Sequence, residues 1–407
     1  MRILIATWSR RQVGGTETYL GRIMPLLADA RHVVAFGHEV DEPEGRPSIP
    51  VPAGAETFRF RAGALDGVRA WKPDVVYAHG LLDQDVEEEL LGIAPGVFFG
   101  HSYYGMCISG DKTHKLPVMQ PCGRKFGPPC LALYLPRRCG GLSPLTMIHD
   151  YRRQRRRLSL LRRYAAAVTH TEHMRRELER HGAAGGRVFK VGFASGGAGT
   201  HVRVPEGQGA RGTGVSHLIF AGRMDRLKGG DYLLRSLPEL HARVKRPLHV
   251  TMAGDGPERE RWQRLADDVM KETAGIRMDF PGWFDRDRLA SALEESDALV
   301  MPSLWPEPYG LAGIEANQRG VPVVAFANGG IPEWLLEGVN GCLAPADPPT
   351  VSGLTDALVR CLTRLDSGSS LRDGARQMGH ATADAVHVSA LVDVLTRVAG
   401  NAGPPTV

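Results

Sequence analysis

Short β-branched runs alternate with helical patterns along most of this chain, and no other feature restricts its fold as much. "RILIAT", "TETYLGRIMPLLAD", "HVVAFG" and "PDVVYAHG" open the series. A second series runs through "HLIFAGR", "GGDYLLRSLPELHARV", "LHVTMAG", "PERERWQRLADDVMKE", "IRMDFPG", "DRDRLASALEES", "ALVMPS", "LAGIEANQRG" and "VPVVAF". Strands that alternate with helices of this length build βαβ units around a parallel sheet. The expected fold class is α/β, with two Rossmann-like doubly wound parallel-sheet domains.

At 407 residues the chain exceeds what one hydrophobic core organises, so two domains are expected. Between the two series lies "ASGGAGTHVRVPEGQGARGTG", dense in glycine and without apolar period, which reads as a linker. The division is therefore an N-terminal domain over 1–193 with a cysteine-rich insertion at about 105–145, a linker over 194–216, and a C-terminal domain over 217–385. A last helix, 386–407, is expected to cross back to the first domain. The composition, 43% hydrophobic and 23% charged, is that of a globular chain, and the formal charge of +5 gives mild attraction to phosphates without calling for nucleic acid. "MRILIATW" reads as a first strand and not as a signal peptide, and no apolar stretch is long enough to span a bilayer, so a cytoplasmic protein is expected.

Some familiar patterns fail their context. "GQGARG", 207–212, spells a dinucleotide fingerprint but precedes a strand instead of opening a helix. "DRD", 285–287, stands just before a helical pattern, where Asp285 serves as an N-cap and Asp287 suits the first-turn dipole. Neither a Walker A loop, a nucleophile elbow nor H-E-x-x-H occurs.

"EPYGLAGIE", 307–315, fits no such structural role easily, because it sets carboxylates at both ends of an otherwise uncharged run. The strand before it ends near Ser303 and a helix begins near Leu311. The amides around Gly310, Leu311 and Ala312 thus face the carboxyl edge of a parallel sheet, where α/β folds bind ligands and where a helix N-terminus suits phosphate. Glu307 before those amides and Glu315 one turn inside can accept hydroxyl hydrogen bonds on either side of a diphosphate, as a nucleotide sugar requires. Arg223 and Lys228, in "AGRMDRLKGG", offer two cations to the same phosphates. "AGDGP" with Gly254, "PGWF" with Trp283 and Phe284, and "NGGIPE" bring further glycine-bearing loops to this edge.

With these motifs in order, the second half resembles the donor-binding domain of retaining glycosyltransferases of family four, which have the GT-B fold. E-x7-E, G-R-x-x-x-x-K-G and G-G-x-P-E carry the resemblance, most specifically over 220–345. It implies that Glu315 holds the ribose hydroxyls and Glu307 those of the transferred sugar. Arg223 and Lys228 neutralise the leaving diphosphate with the amides of 310–312, and Trp283 and Phe284 line the base. "GGTE", with Gly14 and Gly15, resembles the family's N-terminal glycine loop, and His101 falls where the family carries a histidine near the sugar. The donor implied is a UDP-sugar and no metal is required, since fixed cations can replace one. Family members are thought to retain configuration by same-face attack without a protein nucleophile. Other GT-B chemistry, an epimerase or a phosphorylase, and an idle nucleotide-sugar-binding subunit remain alternatives. The segment after "VFKVGF" departs from the family's usual wording, and the acceptor is not encoded in any motif.

Four of the six cysteines, Cys107, Cys122, Cys130 and Cys139, fall in the insertion. Four thiols in one such stretch suggest a structural zinc, but no pair has C-x-x-C spacing, which favours free or partly paired thiols. "DYRRQRRRLSLLRRY", 150–164, carries seven arginines around Tyr151, Leu158 and Leu161 on one helical face. A solvated amphipathic helix is the preferred reading, with peripheral membrane contact as the alternative.

Overall fold

The computed structural model describes residues 1–12, 14–41, 45–192, 214–380 and 384–400. They form two units, one of residues 1–112, 123–192 and 384–400, the other of residues 113–122 and 214–380. Most of the glycine-rich linker lies outside the described residues.

In chain order the strands are β1 (Arg2–Ser9), β2 (Val33–Val40), β3 (Thr57–Arg59), β4 (Val75–His79), β5 (Gly96–Phe99), the two-residue β6 (Thr113–His114) and β7 (Gln120–Pro121), β8 (Ala166–Thr169) and β9 (Val188–Lys190). The first unit's sheet has the order β3-β2-β1-β4-β5-β8-β9, parallel throughout. Parallel strands covered on both faces must be apolar almost continuously. Accordingly β4 and β5 are buried along their whole length. The helix Gly15–Asp29 follows β1, and the helix Asp384–Gly400 belongs to the same unit, fastened to it by the Arg22–Asp384 ion pair at 2.8 Å.

The second unit holds β10 (Ser216–Ala221), β11 (Leu248–Ala253), β12 (Ile276–Gly282), β13 (Ala298–Met301), β14 (Val323–Phe326) and β15 (Gly341–Ala344). Their order is β12-β11-β10-β13-β14-β15, again all parallel. Strand order reverses between β10 and β13, and the crevice outside their carboxyl ends is where open sheets take ligands. The core beneath gathers Leu218, Phe220, Leu233, Leu237, Val250, Trp262, Val300 and Phe326.

One segment departs from the sequence reading. Residues 113–122, placed there in the insertion of the first half, group with the second unit as the antiparallel β6–β7 pair, and Met119 enters that unit's core. The "DRD" motif behaves as a cap: the Asp285 carboxylate accepts the Arg288 amide at 2.8 Å at the start of the helix Arg286–Glu294.

Candidate functional site

At the strand-order reversal of the second unit, β10 feeds a one-turn helix, Arg226–Lys228, capped by Asp225, whose carboxylate accepts the amides of Leu227 and Lys228 at 2.9 and 3.2 Å. This cap fixes the backbone from which Lys228 projects. Across the reversal, β13 leads through Ser303 to Glu307, and the two loops are joined by the Leu304 amide donating to Leu227 O at 2.7 Å.

Lys228 and Glu307 meet directly. The ammonium donates to Glu307 Oε1 at 2.6 Å and stands 5.3 Å over the Trp305 ring. Ser303 Oγ donates to the same oxygen at 2.7 Å. Glu307 is only 4% exposed, and burying a carboxylate is tolerable because these two donors satisfy it. The puzzle of the two carboxylates in "EPYGLAGIE" is thereby half answered: Glu307 is an interior carboxylate with partners, while Glu315 is half-buried on the helix Leu311–Gln318.

The Glu307 loop is held from below. Gly330 N donates to Glu307 O at 2.7 Å, and Trp334 Nε1 donates to Tyr309 O at 2.6 Å. Gly329 has φ +65°, and a Cβ there would lie 2.3 Å from Glu307 O, so both backbone conformation and space demand glycine. Gly310, at φ 92°, is the N-cap of the helix Leu311–Gln318, which begins where the sequence puts it and turns the first amides, those of Leu311 and Ala312, toward the crevice edge.

The remaining residues expected at this site are more dispersed. Arg223 is 72% exposed at its side chain, 3.8 Å from Asp225, and lies beside the Lys228–Glu307 pair in sequence without joining it. Gly254 follows β11, its amide donating to Gly282 O at 2.8 Å. Trp283 is exposed just after β12, and Phe284 is covered by the Arg288 guanidinium at 4.3 Å. From the sequence, Ser303 marks only the end of a strand, and Trp305 carries no role. A serine four residues before an isolated glutamate, at a strand's carboxyl end, was the available signal.

The carboxyl edge of the first unit has another character. Gly14 precedes the helix Gly15–Asp29, where the Glu17 side chain reaches back to the Gly14 amide at 2.8 Å and accepts Trp8 Nε1 at 3.1 Å. Glu17 is buried, so the glycine loop is locked by its own glutamate, whose bond to the N-cap amide is the glutamate half of a capping box. Thr16 Oγ1 stands 3.2 Å from His101 Nδ1, which brings the glycine loop and His101 together. Beneath them lies a buried layer. Tyr19 bridges Tyr77 and His387 Nε2 at 3.0 Å each and stacks on Phe99. His79 is wholly buried, nearly parallel to His101 with centroids 6.1 Å apart, and neither of its ring nitrogens finds a hydrogen-bond partner among the described residues. His170 joins this layer edge-on to Phe99, with ring centroids 4.8 Å apart, and burial holds the imidazoles neutral: His79 well below the ordinary value, His101 at about 4 and His170 at about 3.

The insertion's cysteines do not come together as a zinc site. Among the described residues no group of three or more histidine, cysteine or acidic side chains is placed to hold a metal. Cys107 Sγ accepts the Lys112 amide at 3.3 Å and Cys139 Sγ turns to Leu133 O at 3.8 Å, while Cys122 belongs to the other unit. Without C-x-x-C pairs, nothing local gathers the thiols.

Residues 216–364 match the family model described as "Glycosyl transferases group 1". Among curated proteins, the chain is 34% identical over 147 residues to glycogen synthase of Mycobacterium tuberculosis, covering 36% of this chain and 34% of that one. It is 35% identical over 173 residues to D-inositol 3-phosphate glycosyltransferase of Streptomyces griseus, covering 40% and 34%. The matched stretch thus spans about a third of the length of these relatives. Among solved structures, Anabaena HepE in complex with UDP and glucose superposes with TM-score 0.66 at 17% identity, over 98% of this chain and 100% of that one. The fold is therefore GT-B, and the second unit is family-four-like in sequence.

Proposed function

We propose, for a chain that is GT4-like in sequence and GT-B in fold, a retaining, metal-independent transfer of a sugar from a UDP-sugar to an acceptor hydroxyl. The observation that carries this reading is the convergence of Lys228 and Glu307, from opposite sides of the strand-order reversal, beside the first amides of the helix Leu311–Gln318. A diphosphate needs cations and amides at one end, and a sugar needs a carboxylate at the other. Here Lys228 and Glu307 stand 2.6 Å apart, and the helix begins four residues after Glu307.

In this mechanism the donor's diphosphate takes the Lys228 ammonium, with Arg223 closing from solvent and the amides of Leu311 and Ala312 completing the cradle. Glu307, relieved of Lys228, accepts the hydroxyls of the sugar, and Glu315 accepts those of the ribose. The glycosidic carbon's bond to the β-phosphate oxygen breaks and its bond to the acceptor oxygen forms on the same face. The acceptor's proton passes to a phosphate oxygen of the departing UDP, so no side-chain nucleophile is needed. The Anabaena relative, solved with UDP and glucose, supports a UDP donor. In this reading the first unit binds the acceptor, while the resemblance assigns Gly14 and Gly15 to the donor phosphate and His101 to the transferred sugar. Glycan, glycolipid and secondary-metabolite hydroxyls are the acceptor classes considered.

Calorimetric titration with UDP, GDP, ADP and dTDP, with and without EDTA, tests it. UDP should bind equally in both conditions, and Glu315→Ala should weaken binding by about 1–3 kcal/mol through lost ribose hydrogen bonds. No binding by any nucleotide removes the reading. UDP release from a UDP-sugar that requires no acceptor argues for other GT-B chemistry, and binding without turnover on any acceptor argues for an idle subunit.

A further inference from the structure

The apolar stripe of 150–164, which the alternative reading would lay on a membrane, is not available. Leu158 and Leu161 are buried, and Tyr151 packs on Phe126 with ring centroids 5.3 Å apart. What remains exposed lies one to two turns earlier. The helix runs Pro144–Arg163, capped by Ser143, and its beginning presents Leu145, 79% exposed, Ile148, 42%, and just before it Leu142, 63%. Leu82, 45% exposed, faces the same open groove of about 660 Å³, which Leu145 and Ile148 line together with Arg152 and Arg153.

The charges around this groove are unevenly satisfied. Arg156 pairs with Asp85 and Glu88, Arg163 with Glu88, and the Asp83 carboxylate accepts the Asp85 and Val86 amides at the start of the helix Gln84–Ile93. Arg152, Arg153 and Arg155 are exposed and make no side-chain hydrogen bond or ion pair among the described residues. The acids of this neighbourhood are therefore engaged while three guanidiniums face solvent. Among the residues lining the groove, Arg152, Arg153 and Arg156 face the single carboxylate of Asp83, so its formal charge is net positive.

We propose that this ledge docks the chain on an anionic phospholipid surface, with Leu142, Leu145 and Ile148 entering the acyl boundary and Arg152, Arg153 and Arg155 meeting the phosphates. The order along the helix supports a bilayer over a protein partner or a nucleic acid. Seven residues from Leu145 to Arg152 span about 10 Å of helix, comparable to the depth of a headgroup layer and its first methylenes. An apolar tip followed by a cationic collar matches that gradient, whereas nucleic acid offers phosphates and no apolar layer for the three aliphatics. The inference does not depend on glycosyl transfer.

Co-sedimentation of the full chain with vesicles of phosphatidylcholine alone, or with 30% phosphatidylglycerol, tests the proposal at 100 and 500 mM salt. Expected are at least about tenfold stronger binding to the anionic vesicles, a fall at high salt, and a loss of about tenfold or more in Arg152→Glu/Arg153→Glu. Leu145→Asn, at a position too exposed to affect folding, should lose about threefold or more. Unchanged circular dichroism and melting temperature exclude misfolding. Three results overturn the proposal: wild type left in the supernatant with anionic vesicles at 100 mM salt, equal binding to both vesicle types, or a charge-reversal variant that sediments like wild type. A dimer that Leu145→Asn splits, without vesicle binding, would instead give the ledge to a second copy of the chain.

Discussion

The carboxyl edges of the two sheets are built on the same doubly wound plan and are filled in opposite ways. In the second unit, Lys228, Glu307 and Ser303 form a compact charged cluster in which a buried carboxylate is satisfied by an ammonium and a hydroxyl. In the first, His79, His101 and His170 sit in an aromatic layer with Tyr19, Tyr77 and Phe99, and burial keeps them uncharged. A charged edge can exchange one ionic partner for another, as arrival of a diphosphate requires. An edge of neutral imidazoles favours hydroxyl hydrogen bonds over anions. The scaffold therefore sets where a ligand goes, and local burial sets which chemistry it meets.

That contrast can be broken in three places. The largest effect belongs to Lys228→Ala, which removes the half-buried cation that pairs with Glu307 at the charged edge; turnover with the donor should fall about 10²–10³-fold while the unit stays folded. Near-normal turnover would leave Arg223 as the sufficient cation and make the Lys228–Glu307 pair structural.

The second effect belongs to the neutral edge. An imidazole whose folded pKa lies below its unfolded value binds fewer protons in the native state, so its contribution is complete above pH 6.5 and is lost as pH falls. For His170, at about 3, the window runs from 6.5 down to about 3, and by pH 5 the loss is about 2 kcal/mol. Melting curves at pH 7 and pH 5 should show this destabilisation, and His170→Gln should reduce it. A melting temperature indifferent to this acidification would mean that the layer is already hydrated and protonatable.

The smallest effect sharpens the comparison most. Because Glu307 pairs with Lys228 at 2.6 Å, it would compete with the diphosphate of the proposed donor for the ammonium. Glu307→Gln should bind UDP about fivefold more tightly, roughly 1 kcal/mol, even as turnover drops. Titration that shows weaker UDP binding in this variant would mean that Glu307 positions Lys228 for the ligand and does not compete with it.

Much of the second unit is legible in the amino-acid sequence. Its strands and helices follow the period of the sequence, "LAGIEANQ" starts its helix at Leu311, and Asp285 caps as its position before a helical run requires. Local rules govern such elements, since propensity and capping act within a few residues. The direct pairing of Glu307 with Lys228 is not legible there, because 79 residues separate them and only the close approach of the β10 and β13 loops brings them to 2.6 Å. Nor is the inward turn of Leu158 and Leu161. Helical period shows that residues share a face, but not whether that face meets a sheet or water.

By itself, then, the sequence determined the α/β alternation, the two doubly wound halves and the loops that gather at a carboxyl edge, because these follow from short-range patterning. Tertiary structure alone decided which charges neutralise one another, which histidines lose water and which leucines stay exposed. Those outcomes depend on burial and on distances between residues far apart in the chain, and solvation in such places changes electrostatic energies more than any local preference does.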